Sequence, residues 1–222
     1  MRDGETPAAL RAAGFELVAT ALLLIAVVGS GIMAERLSGG NAGLALLANA
    51  IATGGALFAL ILAFAPQSGA HMNPVVTAAA ALSGELPWRT AWAYALAQVA
   101  GAVLGVVLAH LMFDLPPLQL GTHVRTGAGQ WLAEAIATSG LLATIFGARR
   151  HGIPATGAAV AAYIAGAYWF TASTSFANPA VTLARSLTDT FAGVRPADAP
   201  GFILAQLAAL VLSLPLLRAL RR

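Results

Sequence analysis

Six apolar stretches, each long enough to cross a bilayer, constrain the fold of this chain more than any other feature. A transmembrane helix needs about 20 mostly apolar residues. Only 9% of the 222 residues are charged, whereas a soluble domain has about 25%. We therefore predict an all-α membrane protein. The predicted spans are residues 15–34, 43–65, 90–113, 131–148, 155–170 and 200–217.

The basic residues indicate how these spans cross the membrane. All 12 are arginines, scattered at predicted helix ends rather than clustered with aromatic residues on one face, which argues against nucleic-acid binding. Six spans place both termini on one side, and that side holds eight arginines against four. This excess predicts cytoplasmic termini. The eight are Arg2, Arg11, Arg89, Arg149, Arg150, Arg218, Arg221 and Arg222, and the four are Arg36, Arg125, Arg185 and Arg195.

Neither the composition nor the residue spacing predicts a cofactor or an enzyme. The chain has no cysteine, so disulfides and thiolate metal sites are not expected. His110, His123 and His151 have no further ligand residues at metal-binding spacing, so no metal site is predicted. A catalytic cluster of nucleophile, base or metal is not found either.

The chain contains an internal duplication. Residues 73–85 (NPVVTAAAALSGE) and 178–190 (NPAVTLARSLTDT) match at six of 13 positions. Each lies downstream of a similar helix opening, ELVAT at Glu16 and EAIAT at Glu134. The single channel domain, residues 1–222, therefore divides into repeats at about 15–113 and 131–217. Because each repeat has three spans, the repeats should be inverted relative to one another, with a site between them near the midplane.

The two Asn-Pro segments are too short to span the bilayer, and their repetition favours re-entrant half-helices over ordinary turns. Pro74 and Pro179 suit the first helical position, and Asn73 and Asn178 suit the N-cap. If the repeats are inverted, the two helix N-termini meet at the midplane. Their positive potential would repel cations and protons, and the Asn side chains could donate to a passing oxygen.

These segments resemble the aquaporin and aquaglyceroporin family. The resemblance covers SGAHMNPVVT, SFANPAVTLARSL, the glutamates Glu16 and Glu134, and Gln98, and it extends over nearly the whole chain. It implies a right-handed bundle of six tilted helices and two half-helices in lipid, forming a homotetramer with one pore per subunit for small uncharged solutes. The pore-midplane motifs it implies are Asn73, Pro74 and Val75, and Asn178, Pro179 and Ala180.

Two positions depart from the family pattern. Val75 replaces the usual alanine, a change that leaves the Asn cap and the proline intact. Val181 stands where the family nearly always has the arginine of the selectivity filter. Gapless counting from the family assigns the other filter positions to Thr53, Gly166 and Ser175. None of these is aromatic or histidine, so we expect a wider, less polar filter than that of a strict water channel.

Arg185 follows Val181 by four residues, on the same face of the half-helix. It could reach back one turn and substitute for the missing filter arginine. Alternatively, it could pack against neighbouring carbonyls or extend toward the membrane surface.

Glu16 and Glu134 are intramembrane carboxylates, which in general suggest proton relays. Their equivalent places in the two repeats favour a structural role, in which each carboxylate accepts N–H donors from the loop before its half-helix. His71 could brace that loop by hydrogen bonding or gate the pore mouth by protonation.

A valine at position 181 followed by TLARSL resembles the bacterial aquaglyceroporins associated with arsenic detoxification. The resemblance implies the bacterial inner membrane, and permeants that include glycerol-like polyols, water, arsenite and, as a hypothesis, methylated arsenicals. The alternative is an ordinary water-selective or glycerol facilitator. A secondary carrier would need a charged coupling site near the midplane, which the sequence does not offer.

Overall fold

The computed structural model describes residues 5–220, with side chains from residue 7, and every long element in this part of the chain is an α-helix. Within residues 5–220, six helices are long and apolar enough to cross a membrane, which confirms the predicted fold class. Two shorter helices, α3 and α7, begin at the Asn-Pro pairs. The helices are α1 (Glu5–Leu37), α2 (Ala42–Ser68), α3 (Pro74–Leu82), α4 (Trp88–Met112), α5 (Ala128–Ala148), α6 (Ile153–Phe170), α7 (Pro179–Arg185) and α8 (Ala199–Leu220).

The first helix begins ten residues before its predicted apolar core. The segment from Glu5 to Gly14 has four alanines, one leucine and one arginine, which favour helix without being continuously apolar. The sequence-based span therefore captured the central part of α1 and missed its N-terminal extension, although the apolar stretch long enough to cross a membrane is Pro7–Leu37. Three arginines used to predict the orientation, Arg2, Arg221 and Arg222, lie outside the described residues.

Close packing of α1 against α4 depends on two glycines. A Cβ atom at Gly101 would collide with the carbonyl oxygen of Leu17, and one at Gly105 would collide with that of Ala21. The two backbones therefore approach as the GxxxG spacing predicts, without intervening side chains.

The half-helices begin with the predicted caps. The Oδ1 atom of Asn73 accepts a hydrogen bond from the backbone N–H of Val75 at 2.9 Å. Asn178 Oδ1 accepts from Ala180 and Val181, at 3.0 and 3.3 Å. Each proline occupies the first helical turn, where its missing N–H costs no helical hydrogen bond.

The loop after α4 is tied to the segment after α7. His110 is fully buried and contacts Thr188 Oγ1 through Nε2 at 2.6 Å and the Pro117 carbonyl through Nδ1 at 3.0 Å. Asp189 accepts from the backbone N–H and the hydroxyl of Thr122, at 2.9 and 2.7 Å. These hydrogen bonds from Thr122 lower the pKa of Asp189. The loop is thus fixed over one end of the bundle.

Candidate functional site: a pore between the half-helices

The two cap asparagines lie where the half-helices meet, and each donates to a backbone carbonyl in the loop before the other half-helix. The side-chain amide of Asn73 donates to the Ala177 carbonyl at 2.8 Å, and that of Asn178 donates to the Met72 carbonyl at 2.7 Å. A primary amide has two N–H donors, so each asparagine retains a second donor. Only this second N–H is available to a passing molecule, because the first closes the junction between the half-helices.

The backbone before each asparagine is strained in the same way. Ala70 and Met72 have φ angles of 48° and 49°, and Ser175 and Ala177 have φ angles of 54° and 48°. Non-glycine residues rarely adopt this left-handed conformation, and each instance costs about 1–3 kcal/mol. Both loops must therefore be held by strong contacts.

Glu16 holds the first loop. One carboxylate oxygen accepts from Ser68 Oγ at 2.6 Å and from the His71 N–H at 2.9 Å. The other accepts from the Met72 N–H and from Gln98 Nε2, both at 2.7 Å. The fully buried carboxylate has four donors around it. This arrangement is the one expected of a structural anchor rather than of a proton relay.

Glu134 holds the second loop in the same manner. It accepts from the N–H groups of Phe176 and Ala177, at 2.9 and 2.8 Å, and from Gln206 Nε2 at 2.6 Å. Gln206 also donates to Thr182 Oγ1 at 3.0 Å.

Sequence analysis did not identify Gln206. Gln206 donates to Glu134 as Gln98 donates to Glu16. Gln98 also donates to a threonine, Thr77, at its Oγ1 atom at 2.9 Å. The signal was present, since LAQVA at 96–100 and LAQLA at 204–208 lie at corresponding places in the two repeats.

A cavity of about 380 Å³ runs along the half-helices and includes both asparagines in its wall. This volume lies within the range of small-molecule sites. Most of the wall is hydrocarbon, so a passing molecule finds few places to form a hydrogen bond. Its larger apolar residues include Leu23, Val27, Leu57, Ile61, Met72, Val76, Leu141, Ile145, Ile153, Val160, Ile164 and Phe176.

Three of the four positions assigned to the filter line this cavity: Thr53, Ser175 and Val181. Gly166 does not, because it lies exposed on the outer face of α6. Tyr168 lines the cavity instead, with its hydroxyl 3.2 Å from Thr53 Oγ1.

The assignment of Gly166 is corrected by this geometry. Residues 166 and 168 are about 200° apart around a helix, so an offset of two in the gapless count selects the opposite face of α6. An aromatic side chain therefore lies in the wall beside Thr53, contrary to the expectation that none would. Ser175, 3% exposed, has a hydroxyl without a hydrogen-bond partner in the protein.

Arg185 is buried at the end of α7, and it forms part of the cavity wall. Its Nε donates to the Ala192 carbonyl. The guanidinium carbon lies 3.5 Å from the centre of the Phe176 ring. The predicted packing against a neighbouring carbonyl is therefore observed, and the same residue also faces the pore.

At the opposite end, His71 lines the cavity beside an ion pair. Its Nδ1 lies 3.1 Å from Thr77 Oγ1, and its ring contacts the Tyr94 ring edge-on at 5.7 Å. Glu85 and Arg149, joined at 2.6 Å, complete this mouth. His71 thus braces its loop through its backbone and its ring. Among residues 5–220 there is no cluster of three potential metal ligands.

Six spans, two half-helices meeting at capped asparagines and a mainly apolar cavity between them define a membrane channel. The chain belongs to the major intrinsic protein family, whose model matches residues 4–170. Members of this family are channels and not enzymes.

Individual proteins support this assignment. The chain is 56% identical over 203 residues to Aquaglyceroporin AqpS of Rhizobium meliloti (strain 1021), covering 91% of this chain and 87% of that protein. It is 35% identical over 145 residues to Probable aquaporin TIP1-1 of Oryza sativa subsp. japonica, covering 63% and 57%. The X-ray structure of the aquaglyceroporin from Plasmodium falciparum shares the fold, with a TM-score of 0.72 and 20% identity over 95% of this chain and 94% of that one.

Proposed function

We propose that this protein is a passive channel for water and small uncharged polyols such as glycerol. The observation that carries the proposal is the cavity wall, where isolated polar groups at Asn73, Asn178 and the Thr53–Tyr168 pair interrupt a hydrocarbon surface. A polyol can place its hydroxyls on these groups and its carbon chain on the apolar wall. The identity of more than half to an aquaglyceroporin supports the same permeants.

The proposal extends to neutral arsenic hydroxides, including arsenite and methylated arsenicals. Val181 supports this extension, because a short hydrocarbon stands where the family resemblance implies a charged arginine that narrows the filter. Tyr168 favours the alternative of a water or glycerol facilitator without an arsenic role, since an aromatic ring takes up space in the same wall.

Exclusion of ions and protons is part of the same proposal. Glu16 and Glu134 are fully buried behind their donors, and the carboxylate on the described cavity wall, Glu85, is paired with Arg149. A passing cation therefore finds no free carboxylate near the midplane. This arrangement also argues against an ion-coupled carrier.

We further propose a homotetramer in a bacterial inner membrane with both termini in the cytoplasm. The arginine distribution supports the orientation, and the bacterial relative supports the location. Repeats at about 15–113 and 131–217 form one channel domain. The equivalent hydrogen bonds that Glu16 and Glu134 accept from the loops before the two half-helices support this division.

The test is stopped-flow light scattering of proteoliposomes under an inward glycerol gradient. Initial shrinkage reports water flux and later reswelling reports glycerol flux. We expect reswelling well above that of empty liposomes. Shrinkage without reswelling would reduce the proposal to a water channel. If neither shrinkage nor reswelling exceeded that of empty liposomes, the proposal would be refuted.

Arsenite and methylarsenate uptake are then compared between the unaltered protein and Val181→Arg. We expect the substitution to reduce both fluxes. Equal uptake by the two proteins would show that Val181 does not admit arsenicals.

A further inference from the structure

Arg185 places a positive charge in the cavity wall one helical turn farther from the midplane than Val181. We propose that Arg185 supplies a side-chain charge that excludes cations and protons from this pore, separately from the size selection at Val181. This inference rests on the proposed function, since it concerns the ion exclusion of the same channel.

Among the described residues, Arg185 forms no ion pair with an acid. The ion pairs found among the described residues join Arg149 to Glu85 and Arg195 to Asp198, and neither includes Arg185. Arg185 is only 2% exposed, and its described hydrogen bond uses Nε alone. A buried charge with a single hydrogen bond and no acidic partner is costly, unless water or a ligand solvates its remaining donors. Because Arg185 lines the cavity, the contents of the pore must supply that solvation.

The guanidinium is held in one place by an aromatic ring. Phe176 lies against Arg185, and Arg125 approaches the same ring with its guanidinium carbon 5.5 Å from the ring centre. The Phe176 ring is further packed edge-on against Phe202 at 5.0 Å, while its backbone N–H is bound by Glu134. The charge is therefore positioned by the Phe176 ring, and the loop that carries this ring is itself anchored by Glu134.

The separation of Arg185 from Val181 has a functional consequence. In a filter with arginine at position 181, one side chain would both narrow the path and repel cations. Here Val181 leaves the path wider, and the Cα atom of Arg185 lies four residues farther along the helix, about 6 Å away. Bulky neutral molecules can then pass where cations of the same size cannot.

The expected effect follows from Coulomb's law. A unit charge about 5 Å from a cation, at an effective dielectric constant of about 20–80, reduces the cation's occupancy by about 4- to 300-fold. We therefore expect Arg185→Leu to raise proton and sodium conductance by about 4- to 300-fold. Proton conductance is measured in proteoliposomes with an internal pH dye, and sodium conductance with an internal sodium dye, both under a potassium–valinomycin potential.

Three further variants show whether a change in conductance is due to the lost charge of Arg185. Arg185→Gln is a second neutral variant, which retains a donor for the Ala192 carbonyl and is used where the leucine variant fails to fold. Arg185→Lys keeps the charge and should preserve the barrier. Arg36→Leu is the matched control, because Arg36 also bonds to a carbonyl and contacts a ring, both of Phe113, but lies outside the cavity wall.

Glycerol reswelling of the same vesicles separates this inference from the proposed function. Suppose that the unaltered protein and a neutral Arg185 variant both pass glycerol. If the ion conductance of that variant then equals the ion conductance of Arg36→Leu, the role of Arg185 is refuted. A leak in Arg185→Lys as large as in Arg185→Leu would also refute it, because charge would not be the cause. Absence of both water and glycerol flux in the unaltered protein would instead refute the proposed function.

Discussion

Replacing Glu134 by glutamine tests whether the buried carboxylate is a structural anchor. The two side chains have nearly the same shape, but glutamine replaces one acceptor oxygen by an NH₂ group. One oxygen of Glu134 faces the N–H of Phe176, and the other faces the N–H of Ala177 and the amide of Gln206. Whichever way the new amide is rotated, one backbone N–H loses its acceptor.

The cost can be estimated from these contacts. An orphaned buried donor costs about 1–3 kcal/mol, and each remaining hydrogen bond weakens when its acceptor is no longer charged. A neutral amide is less costly to bury than a carboxylate, which offsets part of the loss. We therefore expect Glu134→Gln to destabilise the folded state by about 2–4 kcal/mol.

Thermal unfolding in detergent, followed by helical circular dichroism, measures this effect. At about 2–4 °C per kcal/mol for a chain of this length, the midpoint should fall by about 4–16 °C. Glu35→Gln is the matched control, because Glu35 is an exposed glutamate on α1. Equal midpoints for the two variants would refute the anchor. Normal stability combined with an altered pH dependence of flux would instead support a proton relay.

Three other substitutions test separate parts of the structure. Tyr168→Ala should raise glycerol flux relative to water flux in stopped-flow measurements, because it removes a ring from the pore wall, and an unchanged ratio would contradict this assignment. Gly105→Ala should destabilise the protein by about 1–3 kcal/mol in thermal unfolding, because its methyl group meets the Ala21 carbonyl, whereas Gly55→Ala should not, since its methyl group meets open space. The contact between Asp189 and Thr122 is present above the ordinary carboxyl pKa range and is lost as pH falls through the lowered pKa of Asp189. Hydrogen exchange of the Thr122 amide should therefore quicken at low pH, beyond the intrinsic pH dependence of exchange, and Asp189→Asn should not show this extra change.

Much of the fold could be predicted because it depends on local sequence. Length and apolarity identified the six spans, and the Asn-Pro pairs identified the starts of both half-helices, since a helix cap depends on adjacent residues. The clamp role of Glu16 and Glu134 followed from their equivalent places in the repeats.

Features that depend on contacts between distant elements were harder to predict. Tyr168 was missed because its face depends on where α6 ends relative to the loop before α7, and counting without gaps cannot register an offset of two. The reciprocal bonds of Asn73 and Asn178 were missed because they join residues about a hundred positions apart. Sequence analysis had instead assigned these amide donors to the permeant.

The duplication limits where charge selection can occur. Val76 and Val181 occupy the same place in the two half-helices, three residues after each asparagine, and both line the cavity. The position that corresponds to Arg185 in the first half-helix is Ala80, which also lines the cavity. The two half-helices therefore provide similar apolar walls. Of these corresponding positions, only Arg185 carries a charge, so this charge lies on one side of the midplane. A barrier to cations built from this charge acts on one side of the midplane and leaves the other side to select permeants by size and hydrogen bonding.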